Sequence, residues 1–136
     1  MRTLVRSLLM ANEGLTELVG DRWFEWSSLV DQPPFPYGLI RLSSQQPSVT
    51  ARSITRQGRA EIWVYDERGT FERIDACLRY IHEVMDNVVN AERTTDDGRL
   101  VRLSLADWSQ DSTELWDEQR RANARSSAYN CVGRGW

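Results

Sequence analysis

The sequence predicts an α+β fold in which a mainly antiparallel sheet is packed on one side by a long helix and an N-terminal helix. Three observations lead there. Phe71, Ile74, Leu78, Ile81, Met85 and Val88 recur at alternating steps of three and four, the spacing of one apolar helical stripe. Ile40 and Leu42, then Ala60, Ile62 and Val64, then Val101, Leu103 and Leu105 alternate with polar or aromatic neighbours, the period of a two-faced strand. Prolines and glycines separate these segments. A chain of 136 residues suits one domain with a real core. We place that domain at residues 1–132 and a short C-terminal tail at 133–136.

The elements follow in order. Leu4, Val5, Leu8 and Leu9 share a helical face, and Leu15, Leu18 and Val19 add apolar material after a break at Asn12 to Gly14. Gly20 is a stop signal. Trp23, Phe24 and Trp26 form a compact aromatic strand, and Pro33, Pro34 and Pro36 keep the next loop from becoming helical. Strands at Ile40 to Leu42 and at Arg59 to Asp66 pair in one antiparallel sheet. Between them Ser43 to Gly58 is polar and longer than a usual hairpin loop, expected to be mobile until a partner orders it, as is the Gly133 to Trp136 tail. The long helix covers Thr70 to Val89, with Thr70 as N-cap and Glu72 in the positive first turn. Its stripe is core: six large side chains contribute on the order of 10 kcal/mol before the entropy of ordering is subtracted. Asp97 and Gly98 mark a tight turn before the strand at Val101 to Leu105. The last strand, Arg125 to Val132, is weakly apolar and expected to be completed by a neighbour in the sheet or by another subunit.

Composition excludes several functions. A hydrophobic fraction of 40% and a charged fraction of 27% are ordinary for a globular protein. No apolar run nears the roughly 18 residues of a membrane span, and the N-terminus lacks a signal-peptide core, so cytoplasmic synthesis and assembly are expected. Cys77 and Cys131 are expected as free, buried thiols. All 17 basic residues are arginine, a pattern that GC-rich coding alone accounts for. Without lysine there is no phosphate-loop lysine and no Schiff base. The net charge of −3 argues against a dedicated nucleic-acid binder.

No catalytic set assembles from the remaining residues. His82, the single histidine, shares a helical stripe with Asp75, Arg79 and Asp86 and is expected on the solvated side. With no second histidine and no Cys-x-x-Cys pair, a histidine-rich or thiolate zinc site cannot form; no Gly-x-Ser-x-Gly elbow presents a serine. The acidic cluster Asp107, Asp111, Glu114, Asp117 and Glu118 lacks the spacing of an EF-hand loop. It reads as a solvated loop, with two alternatives. One is a magnesium site of a small metal-dependent enzyme. The other is an intersubunit surface, in which Asp111 and Glu114 meet arginines such as Arg52, Arg56, Arg120 and Arg121 across a contact between copies. Trp136, an aromatic after two glycines, joins that interface set as a candidate anchor. Trp23, Trp26 and Trp63 are the only support for a ligand-binding surface, and core burial is the commoner fate of tryptophan.

One stretch speaks to function more directly. The helix end Leu18-Val19-Gly20-Asp21-Arg22, the aromatic strand after it, and the Pro36-Tyr37 pair leading into Leu39 to Leu42 resemble the opening of tail terminator (tail completion) proteins of long-tailed, lambda-like phages. The later order of strand, long helix, acidic segment and last strand resembles them more loosely. The resemblance implies a structural virion protein without catalytic activity, cofactor or metal. Copies would form a ring, expected to be hexameric, at the head-proximal end of the tail. That ring would cap the tail tube, end its polymerisation and meet the head–tail connector, with DNA passing through it without specific binding and no membrane involved. A neck or head-completion connector protein is the alternative within virion assembly.

Overall fold

The computed structural model describes residues 1–27, 31–44 and 55–136. Among these residues three helices and seven strands follow one another as α1 (Arg2–Met10), α2 (Glu13–Val19), β1 (Trp23–Glu25), β2 (Tyr37–Ser44), β3 (Thr55–Asp66), α3 (Glu72–Met85), β4 (Val89–Thr94), β5 (Leu100–Asp111), β6 (Leu115–Asp117) and β7 (Ala122–Arg134). The fold class is α+β. All seven strands join one sheet in the order β1-β2-β3-β7-β5-β4, with β6 against the start of β7.

The sheet is mixed. Pairs β2/β3, β3/β7, β5/β7, β4/β5 and β6/β7 are antiparallel, whereas β1 runs parallel to β2. The physical reason is the proline-bearing segment between them, which is long enough to carry the chain back to the same end of the sheet; a two-residue turn would have forced a hairpin. Two register shifts in β5, between Leu103 and Leu105 and between Trp108 and Gln110, add local twist and curl the sheet.

The helices lie on one face. Asn12 caps α2 through its side chain, which accepts from the Leu15 backbone N–H at 2.9 Å. Gly14 is therefore helical and not part of a break, and its lack of a side chain matters: a Cβ there would stand 2.5 Å from the Tyr80 ring of α3. Gly20 closes α2 with φ of 64°. Helix α3 is 14 residues, shorter at both ends than the expected Thr70 to Val89. Thr70 still serves the helix start, because its hydroxyl accepts from the Glu72 N–H. At the other end Val88 is buried but already outside the helix, and Val89 begins β4.

The helix-side core contains Leu4, Val5, Leu9, Leu15 and Val19 from α1 and α2, Ile74, Leu78, Ile81 and Met85 from α3, and Ile62, Val64, Leu103 and Tyr129 from the sheet. A smaller cluster on the opposite face holds Tyr37, Leu39, Tyr65, Ala122 and Ala124, with Phe24, Trp26, Phe35 and Trp63 half-buried around it. Tyr37 and Tyr65 stack there at 5.2 Å. Trp23 faces the helices, 2% exposed, while Trp26 and Trp63 belong to the other face, so the three tryptophans do not make one ligand surface. Both cysteines are free and buried, and burial pushes the Cys131 thiol up to about 11.

The weakly apolar last strand is the centre of the sheet. Strand β7 pairs with β3 on one side and with β5 and β6 on the other, and it continues through Gly133 and Arg134. Its small residues Ala124, Ser127 and Ala128 are buried at that central position, with neighbouring strands on both sides. Trp136 packs over Gly58, where a Cβ would come within 2.6 Å of the indole. No helix among the described residues is long and apolar enough to cross a membrane.

Candidate functional site

The segment that carries the tail-protein resemblance folds into one unit. Gly20 turns the chain out of α2, and Arg22 then reaches back and across. Its Nε donates to the Pro36 carbonyl at 2.9 Å and its Nη2 to the Leu18 carbonyl at 3.2 Å. The Arg22 carbonyl in turn accepts from the Gly38 N–H at 2.9 Å. One arginine thus clamps the Leu18 to Arg22 turn to the Pro36-Tyr37 pair, and the strand that follows Arg22 registers Trp23 against Gly38. The planar fork makes this possible, since two of its donors point to two different carbonyls at once.

The residues singled out for an interface fall into three places. Arg52 lies outside the described residues, as does most of the Ser43 to Gly58 loop; its ends, Ser43 to Ser44 and Thr55 to Gly58, belong to β2 and β3. Arg56, exposed near the start of β3, sits beside Trp136, whose indole N–H donates to the carbonyls of Arg56 and Gly133, each at 3.2 Å. Glu114, Arg120 and Arg121 gather at the opposite end of the sheet, around β6 and the turn into β7. There Arg120 lies over the Tyr65 ring at 5.5 Å, and its backbone N–H donates to Asp117 at 2.9 Å. Arg121 holds a positive φ of 50°.

Asp111 stands apart from both groups. It ends β5, and its carboxylate receives Ser127 Oγ at 2.6 Å, Trp108 Nε1 at 3.0 Å and His82 Nε2 at 3.2 Å. Burial opposes its charge, but these donors outweigh that cost and hold the carboxyl below its ordinary range. The other ring nitrogen of His82, Nδ1, meets the Tyr129 hydroxyl at 3.1 Å. Burial raises the Tyr129 phenol, which stays neutral and able to donate. His82 is consequently not a solvated side chain: it ties α3 to β5 and β7. The sequence held a signal for this, because His82 is four residues after Leu78, about 40° away on the helix and inside a broad apolar stripe. Likewise Asp107 and Asp111 belong to a strand, not to a solvated loop.

The network is not arranged as a hydrolytic triad. Asp111 and Ser127 share the Nε2 side of His82, Ser127 Oγ stands 3.5 Å from that nitrogen and donates to the carboxylate, and Ser127 is fully buried. A triad needs the acid and the nucleophile on opposite ring nitrogens. Among the described residues no group of three histidine, cysteine or acidic side chains is placed to hold a metal ion.

A basic hollow at the hairpin end escaped sequence reasoning. Arg56, Arg99 and Arg134 line it with Trp136, around a cavity of about 500 Å³. These arginines are far apart in sequence, and only the antiparallel pairing of β3, β7 and β5 collects them.

The chain's fold is similar to that of a chain in the solved structure described as "Virion of native gene transfer agent (GTA) particle", with a TM-score of 0.68 and 14% identity, covering 99% of this chain and 95% of that one. No protein-family model matches the chain, and neither does any curated protein.

Proposed function

We propose that this chain is a structural protein of a phage-like virion that forms a ring capping the tail tube, ends tube polymerisation and joins the tail to the head connector. The observation that carries the reading is the Arg22 clamp: the two sequence segments that resemble tail terminators are held together by one side chain as a single structural unit. Support also comes from the fold similarity to a chain of a gene transfer agent virion, end to end in both chains. A binding role suits a surface with charged clusters at both ends of the sheet, while the single histidine makes internal hydrogen bonds. Function in such a protein is contact with neighbours, and a ring follows when identical subunits meet through two different surfaces.

Deletion of the gene from the particle-producing genome tests this. A ring on the tube end blocks the site where the next tube ring would add. Electron microscopy of the mutant is expected to reveal filled heads beside unattached tails, some of them overlong. Normal tails attached to heads would overturn the tail reading. Tails of normal length that fail only to join heads would point to the neck or head-completion alternative.

A further inference from the structure

The basic hollow asks for an anion. Arg56, Arg99 and Arg134 are all exposed, and among the described residues none has a carboxylate within ion-pairing distance. The fold brings them together against their repulsion. Arg134 sits directly opposite Arg102 across the β5/β7 ladder, where like charges are unfavourable, and Arg102 is neutralised by Glu92 on β4 while Arg134 is not. Arg56 is paired with Gly133, the residue next to Arg134, and Arg99 closes the hollow from the β4–β5 turn. The acids of that turn, Asp96 and Asp97, line the adjoining hollow with Arg2 and Arg99; the Thr95 hydroxyl, which donates to Asp97, and then the Arg99 charge hold that carboxyl low, so Arg56 and Arg134 are the arginines with no acid beside them. Trp136 forms a wall of both hollows, fixed by its two indole hydrogen bonds.

We infer that this hollow binds the phosphate backbone of nucleic acid without reading its sequence. Guanidinium forks match phosphate oxygens in pairs, and spaced arginines around an open concavity fit a repeating anion better than a single one. A second copy of the chain is the poorer occupant, because its far end mixes Glu114 and Glu118 with Arg68, Arg120 and Arg121 and offers no purely acidic surface. The overall charge of −3 is compatible with weak, sequence-independent contact confined to one patch. This inference goes beyond the ring reading and does not depend on it, since an isolated subunit carries the whole hollow.

The test is fluorescence anisotropy of a labelled duplex of about 20 base pairs with the full chain, titrated from about 50 to about 200 mM salt. Three phosphate contacts predict a log–log slope near −2.7, hence affinity falling by about 40-fold over that range. The double variant Arg99→Ala with Arg134→Ala is expected to bind at least about tenfold more weakly and to lose about two units of slope. Arg68→Ala with Arg121→Ala, at the far end, should match the unaltered chain. Arg99→Lys with Arg134→Lys should keep the slope, which separates lost charge from lost fold, and circular dichroism should report the same thermal midpoint throughout. The inference is overturned if the unaltered chain does not bind at the lowest salt, or if the alanine pair binds equally well. It is also overturned if polyglutamate competes as strongly as DNA, the mark of a protein carboxylate site, or if inorganic phosphate binds and DNA does not.

Discussion

Asp111 illustrates how one side chain can change meaning between sequence and structure. As a member of an acidic run it reads as a surface group; in the fold it is the acceptor on which Ser127, Trp108 and His82 converge. Its carboxyl is held below the ordinary value, so the linkage has a definite sign. The charged form stabilises the fold, that contribution is fully present above the unfolded carboxyl range near 3.9, and it is lost as pH falls through the lower folded value. Asp111→Asn is therefore expected to cost about 1 to 3 kcal/mol at neutral pH, because charged hydrogen bonds are replaced by weaker ones, and to flatten the loss of stability below about pH 4. Urea unfolding at several pH values checks both; an unchanged acid limb would mean the network does not carry acid sensitivity. Asp66 repeats the lesson elsewhere. It is 1% exposed and takes two donors of Arg73, at 2.8 and 2.5 Å, which docks the start of α3 on the end of β3.

At the scale of elements, β1 is the least expected part of the architecture. Three residues long and parallel to β2, it is held less by its ladder than by Trp23, which lies across Gly38. A Cβ at Gly38 would stand 2.0 Å from the indole of a tryptophan that is 2% exposed and unable to swing away. Gly38→Ala should thus destabilise the chain by about 1 to 3 kcal/mol or more through overpacking. A urea midpoint equal to that of the unaltered chain would show that β1 can shift without loss. Strand β7 makes the complementary point. Alternation and hydropathy undervalue a strand of alanines and serines, because they score what a side chain gains by burial and not where the strand sits in its sheet.

At the scale of the whole molecule, the two ends of the sheet carry different chemistry. Residues Glu114, Arg120 and Arg121 lie at one end, and Arg56, Arg99, Arg134 and Trp136 at the other. Asp111 does not suit a test of assembly, since its reversal would disturb the hydrogen bonds from Ser127, Trp108 and His82. Glu114 does suit one: it is exposed, and surface pairs add little to monomer stability. If the end that carries Glu114 forms part of the subunit contact, Glu114→Arg should lower the population of rings in native mass spectrometry while the thermal midpoint stays the same. Rings of undiminished abundance would remove Glu114 from that contact.

The periodic parts of this protein were legible in its sequence. The stripe from Ile74 to Met85, the alternation in β2, β3 and the first half of β5, the stop at Gly20 and the turn at Gly98 each follow from spacing and backbone preference between near neighbours. The Leu18 to Arg22 and Pro36-Tyr37 segments could be recognised as patterns, but the hydrogen bonds that join them through Arg22 could not. The parallel direction of β1, the central place of β7, the inward turn of His82 and the gathering of Arg56, Arg99 and Arg134 were decided only by tertiary structure. Each depends on residues separated by many positions in the chain, and which distant strands pair is set by how the whole sheet closes over its core, a quantity no local window contains.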